Sequence, residues 1–339
     1  MWRQLLYDVL GKEAESYQII EVARSGASGP KVLFLKNFIT EEIYAFKYGL
    51  PEQLRVPITK QIANRRTIAP LFGEHHLPEI VLSGENFIMM PAIKGHDLHM
   101  CAMEGIYDLE YLLEMESRIL DHFSRVWQKT ALPYVDQKFT RDPLDRAARI
   151  RKALQSRVFG LLSVEDIYQK TVVINGQEQP PLGVLLDKMT QLYSPPKNIV
   201  ICHGDPNADN ILINDRQDWW LIDWEWVGIH DWRILASHLI GWWLSNASLL
   251  ISHPKIEVNN KIKISYQIGF HPLIGPMIDQ AWRLAENLGQ TWQEENWRQQ
   301  INLQLANLLL GDIRFLEARG RPRHTVPLLG EGLKYLAEL

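Results

Sequence analysis

The chain has 339 residues, 46% of them hydrophobic and 22% charged, the balance of a globular protein of one large unit or two lobes. Its 36 basic and 40 acidic residues leave a formal charge of -4, so no basic excess points to nucleic acid as the main partner. Cys101 and Cys202 are too few for a disulfide framework and point to a reducing cytoplasm.

Residues 1–92 read as a small α/β lobe. Asp8, Lys12 and Glu13 interrupt the N-terminal apolar run, so no signal-peptide core is expected. Residues 16–24 alternate as a strand, 25–30 have turn chemistry, and 31–36 form the next strand, ending on Lys36. Thr40 followed by Glu41 and Glu42, with Gly49 as a stop, predicts a helix over 40–49. A second helix is expected over 59–72, and a hairpin over 80–90 that runs into Pro91, Ala92 and Ile93.

From residue 93 onward the chain reads as a larger, mostly helical lobe. His96, Asp97, His99 and Cys101 offer metal-ligand types, but zinc needs a closed, well-placed shell, and a polar helix start is the preferred reading. A clear helical stripe occupies 108–128, and a more basic helix is expected over 143–162. Asn175-Gly176 signals a hairpin, and 182–192 is helical. The apolar stretch 239–251 is broken by Ser245, Asn246 and Ser248, so it reads as a buried helix and no membrane partner is expected. Residues 234–339 read as mostly helical, with 304–319 strongly amphipathic.

The chemistry concentrates in 198–228. An apolar strand, 198–202, leads into His203-Gly204-Asp205, and Asn210 follows at the end of the loop. Residues 211–214 and 219–222 are β-prone and flank a four-residue turn, predicting a hairpin in which Asn214 faces Trp219 and Ile211 faces Ile222. That pairing would set Asn210 beside Asp223 at the open end, next to Asp205. Such an oxygen-rich set suits Mg²⁺, with Asn210 and Asp223 as ligands and phosphate supplying others. An ionised Asp205 only accepts hydrogen bonds, so it can orient or deprotonate an incoming hydroxyl.

The loop His203-Gly204-Asp205 with Asn210, the strand Ile222-Asp223-Trp224, and the continuation Glu225-Trp226 together resemble the aminoglycoside phosphotransferase and choline kinase family. The resemblance implies an α+β, protein-kinase-like two-lobed fold. Its small β-sheet-rich N-lobe would span 1–92 and its large, mostly helical C-lobe 93–339. It further implies transfer of the γ-phosphate of ATP, with Mg²⁺, to a hydroxyl of a small metabolite, amino alcohol or antibiotic-like compound, with Asp205 as catalytic base. Lys36 then fits the strand lysine that grips the α/β-phosphates, and the sparse glycine loop 11–16, which reads equally as a plain hairpin turn, brings in Ser16. Met90, Pro91 and Ile93 fit the hinge for adenine, Pro91 through its carbonyl. The family's lysine-holding glutamate has no match inside the second helix. Glu52 is the best candidate, with an arrangement through water or through Gln61 also open.

Seven of the twelve tryptophans fall between Trp219 and Trp243. Core packing is the plain reading, and an aromatic wall for a cationic substrate is the sharper one. For the latter the residues of interest are Trp226, Trp232 and Trp242, with Glu225 and Asp231 as charge partners. Beside the kinase stand two other readings: a pseudokinase acting as a nucleotide-binding or scaffold protein, and a transferase that moves AMP.

Overall fold

The computed structural model describes residues 2–22, 31–50, 52, 54–144, 150, 164–246, 248–250, 253–270, 272–318 and 325–339. The predicted turn at 25–30 and nearly all of the predicted helix 143–162 lie outside these residues. The chain divides into two compact units, Met1–His96 with Ile211–Val227, and Asp97–Asn210 with Gly228–Leu339.

The first unit is built on an antiparallel five-stranded sheet of β1 (Tyr17–Val22), β2 (Lys31–Asn37), β3 (Ile43–Tyr48), β4 (Leu82–Ser83) and β5 (Phe87–Pro91), in the order β1-β2-β3-β5-β4. Helix α1 (Trp2–Leu10) places Leu6 against one face, where Leu33, Leu35, Phe46 and Met89 close a core. The helix expected over 40–49 is instead β3. The Asn37 side chain accepts from the N–H groups of Ile39 and Thr40, and Glu41 takes a positive φ of 61°, so Thr40 and Glu41 turn a hairpin. Ile43 to Tyr48 then alternates: Phe46 faces the core beside Leu33, and Lys47 emerges on the opposite face. Helix α2 (Ile58–Phe72) agrees with the expected second helix.

The hairpin of the same unit pairs Ile211 with Leu221, Leu212 with Trp220 and Ile213 with Trp219. Its register is one residue off the expected one. Asn214 belongs to the turn: its Oδ1 accepts from the N–H groups of Arg216 and Asp218, and Gln217 sits at φ 62°. A three-residue loop with a left-handed residue closes the hairpin, and Ile222 lies beyond the strand.

The second unit is mainly helical: α3 (Leu98–Glu104), α4 (Leu109–Thr130), α5 (Leu182–Leu192), α6 (Trp232–Asn246), α7 (Ile274–Thr291), α8 (Trp297–Ala318) and α9 (Thr325–Ala337) are its principal helices. Asp97 and Asp108 cap α3 and α4 by accepting from the N–H groups of Met100 and Tyr111. The strand Asn198–Cys202 lies between Gly228–Asp231 and Leu132–Pro133 and carries the chain to His203. A four-stranded sheet combines Val172–Ile174 and Gln177–Gln179, joined at Asn175-Gly176 with φ of 47° and 88°, with Lys255–Val258 and Ile262–Ser265. The strands after 246 depart from the mostly helical expectation, since Ile256, Val258, Ile262 and Ile264 alternate with polar residues. Among the described residues no helix is long and apolar enough to cross a membrane.

Candidate active site

In the first unit, Asp223 follows the hairpin in a left-handed conformation, φ 65°. This turns the chain into the short 3-10 segment Trp224–Trp226 and sends the Asp223 and Glu225 carboxylates to one ammonium. Lys47 Nζ donates to Asp223 Oδ1 at 2.8 Å and to Glu225 Oε1 at 3.4 Å. Helix α2 fixes the segment from behind. Asn64 Nδ2 donates to the carbonyls of Trp224 and Glu225, at 2.8 and 3.1 Å. Gln61 Nε2 donates to Glu225 Oε1 at 3.4 Å and to the Val56 carbonyl at 2.9 Å. Gln61, Asn64 and Glu225 are all buried, so the Lys47–Glu225 pair is shielded from water and salt.

In the second unit, Asp205 lies in the loop after the Asn198–Cys202 strand. His238 of α6 meets its Oδ1 through Nδ1 at 2.8 Å. Burial alone would raise the Asp205 carboxyl, but the His238 hydrogen bond, with the nearby Arg141 guanidinium, holds it well below the usual carboxylate range. It is therefore an anion throughout the physiological range. Asn210 donates from Nδ2 to the Asp205 backbone carbonyl at 2.9 Å, which closes the loop and leaves the amide oxygen as the group for a ligand.

These observations test the donor set for Mg²⁺. Asp223 already attracts a cation, and the Asn210 amide is oriented with its nitrogen engaged and its oxygen spare. Both fit a hard, oxygen-seeking ion.

The remaining predicted residues are placed as follows. Lys36 lies on β2 and pairs with Glu41, at the hairpin turn; Lys47, one strand further, is the lysine at Asp223. Glu52 is exposed, and the carboxylate buried against the strand lysine is Glu225, so Glu225 lies at Lys47 and not in a substrate wall. Ser16 ends a 3-10 turn, and its carbonyl accepts from Phe38 N–H at 2.9 Å. Met90 and Pro91 end β5 opposite Ala45 and Tyr44, and Ile93 follows, its carbonyl accepting from Gly95 N–H.

Two of the aromatic-wall candidates are structural. Asp231 is fully buried, takes both Nε and NH2 of Arg233, and accepts from the Tyr193 hydroxyl, so its lone pairs are committed within the protein. Trp232 is equally buried, donates to Glu294 and packs edge-on to Trp292. Trp226 and Trp242 are half-buried. The set His96, Asp97, His99 and Cys101 does not assemble among the described residues: Asp97, which caps α3, and His99 gather instead with Asp209, and Cys101 is buried with burial pushing its thiol up to about 12.

Two site residues were not found in the sequence. Lys47 was masked by the helix-like Thr40-Glu41-Glu42, although alternating Tyr44, Phe46 and Tyr48 is a strand signal. His238 lies inside an apolar helix, and nothing in the sequence marks it as a partner of Asp205.

A sheet bearing a lysine paired to an acid after a hairpin, and a helical unit with an HGDxxxxN loop, are parts that recur in kinase-like phosphoryl transfer. Residues 108–234, which contain the His203–Asn210 loop and Asp223 but not Lys47, match the model of the phosphotransferase enzyme family. No curated protein matches the chain. Among solved structures it is similar to aminoglycoside phosphotransferase APH(4)-Ia, at TM-score 0.58 and 11% identity over 98% of each chain. It is also similar to an ethanolamine kinase of Plasmodium vivax, at TM-score 0.52 and 12% identity over 99% of this chain and 86% of that one. Choline kinase LicA from Streptococcus pneumoniae aligns at TM-score 0.51 and 10% identity, over 100% and 99%. The resemblance read from the motifs thus holds, as does the α+β, protein-kinase-like fold with a sheet-rich N-terminal part and a helical C-terminal part.

Proposed function

We propose that the protein is an ATP- and Mg²⁺-dependent phosphotransferase acting on a hydroxyl of a small molecule. The observation that carries this reading is the Lys47 ammonium held between Asp223 and Glu225, a preformed cationic point beside a metal-type carboxylate. Lys47 binds nucleotide phosphates in place of Lys36, with Glu225 as the partner that family members draw from a helix. Asn210 and Asp223 supply oxygens to Mg²⁺, which when bound neutralises charge on the phosphates. Met90, Pro91 and Ile93 serve the adenine through backbone groups, with Ser16 and Glu52 retained only as peripheral candidates. Asp205, kept anionic, orients the acceptor hydroxyl and takes its proton as the new oxygen–phosphorus bond forms and the bond from the γ-phosphorus to the ADP leaving group breaks.

The sparse glycine loop and the missing helix glutamate favour a scaffold role, and Glu225 with Gln61 answers the second of these. The acceptor class is an alcohol such as choline, ethanolamine or an aminoglycoside, on which the similar structures' named enzymes act; Trp226 and Trp242 remain candidates to contact it. Incubation with γ-labelled ATP, Mg²⁺ and this panel tests the reading. Label transferred to an alcohol supports it, and binding of nucleotide with neither transfer nor hydrolysis overturns it.

A further inference from the structure

We infer that His238, backed by Arg141, is the positioning residue for Asp205, holding one carboxylate oxygen so that the other faces the acceptor hydroxyl; this rests on the phosphotransferase reading. The tautomer follows from donor and acceptor counting. Arg141 NH1 lies 3.5 Å from His238 Nε2, and a guanidinium only donates, so Nε2 accepts. Nδ1 then carries the proton and donates to Asp205 Oδ1 at 2.8 Å. The imidazole is a neutral bridge between a cation and the carboxylate, and its orientation is fixed at both ring nitrogens.

The ring is also fixed through its backbone. His238 sits on α6 five residues after Arg233, whose guanidinium donates to Asp231, Glu294 and the Ser194 carbonyl. That buried network pins the first turn of α6 to the end of the Gly228–Asp231 strand, neighbour of the strand that delivers Asp205. Asp205 is thus held through its own loop, by Asn210, and through α6, by His238. Arg141, Ser237, Gln304 and Asn307 line the small polar recess behind the ring. An aspartate held at one oxygen keeps its other lone pairs aimed, which lowers the reorganisation needed when the hydroxyl arrives.

The test compares His238→Leu, which deletes the donor, with His238→Asn, whose amide can donate from nearly the position of Nδ1. Turnover is read with γ-labelled ATP on choline, ethanolamine and aminoglycosides, and as ATP hydrolysis with water alone, alongside nucleotide Kd and Tm. Orienting partners typically contribute about 10- to 100-fold, so His238→Leu should lose that in kcat with an unchanged nucleotide Kd, and His238→Asn should recover most of it. Equal kcat in His238→Leu, or parallel loss of kcat, Kd and Tm in both variants, would overturn the assignment. Histidine ¹⁵N NMR of the wild type tests the hydrogen bond without activity: an Nδ1-protonated ring perturbed by Asp205→Ala supports it, and an Nε2-protonated ring overturns it. A wild type silent in every assay would refute the phosphotransferase reading, while the NMR result would still decide the His238–Asp205 bond.

Discussion

Asp223 in the sheet-rich unit and Asp205 in the helical unit each meet a nitrogen at 2.8 Å, but the nitrogens differ in kind. Asp223 meets a lysine ammonium, a mobile point charge on a flexible stem that a metal ion or phosphates can displace. Asp205 meets an imidazole whose other nitrogen is engaged, a directional donor fixed by a buried helix. The first arrangement suits charge that must be exchanged during binding; the second suits geometry that must persist through the reaction.

Asp205→Asn makes the sharpest test of this division, since it keeps shape and removes charge. Turnover should fall by about 10²- to 10⁴-fold with nucleotide Kd nearly unchanged. Loss of nucleotide affinity instead would move Asp205 into the metal shell and erase the distinction.

Next come the two lysines. Lys47→Met should weaken Mg-ATP binding and turnover together by roughly 100-fold, as expected when a buried charge contact worth about 3 kcal/mol is removed. Lys36→Met should change neither by more than about 2-fold, since its partner Glu41 is an exposed turn residue. Calorimetry on both variants, with and without Mg²⁺, compares them directly.

A smaller effect is expected where the partner of Lys47 is exchanged. Glu225→Gln should raise the KM for ATP by about 10-fold, and Gln61→Glu added to it should recover part of that loss by restoring a carboxylate from α2. Recovery would show that the site needs a carboxylate near Lys47 and is indifferent to which element supplies it. A double variant no better than the single would instead tie the role to the Glu225 position.

How far the sequence disclosed this depended on the range of each interaction. The loop from His203 to Asn210 and the Asn175-Gly176 hairpin were legible, because turn and motif chemistry is local. Lys47 was not, because Thr40, Glu41 and Glu42 satisfy a helix-start pattern whose competing answer, a hairpin closed by Asn37, is decided by pairing with β2 and β5. The hairpin register slipped by one because Asn214 prefers to accept the N–H groups of the turn. The Glu225 pairings could not be read at all: Lys47 lies 178 positions away and Gln61 164. Asp231 looked like a site residue by its place after the motif, and only the tertiary structure commits it to Arg233.

The least costly test concerns a carboxylate that has neither kind of partner. Glu116, on α4, is buried; its Oε1 accepts from Trp243 Nε1 at 3.3 Å, and its Oε2 has no hydrogen-bond partner. Burial pushes its carboxyl well above the usual range, only partly offset by the Trp243 hydrogen bond and the charge of Arg283. The sign follows from linkage. An acid whose pKa is higher folded than unfolded binds more protons in the native state, so it favours the fold below its unfolded pKa of about 4.3 and loses that contribution as pH rises toward the folded value. Within that window the slope is about 1.4 kcal/mol per pH unit. Glu116→Gln keeps the acceptor for Trp243 and removes the titration. The variant should therefore be more stable than the wild type at pH 8, by about 1 kcal/mol after its own burial cost, with the advantage shrinking or reversing at pH 4.5. Urea unfolding at the two pH values measures it. A constant difference between them would mean that Glu116 finds a compensating cation, as Asp231 and Glu294 do in Arg233.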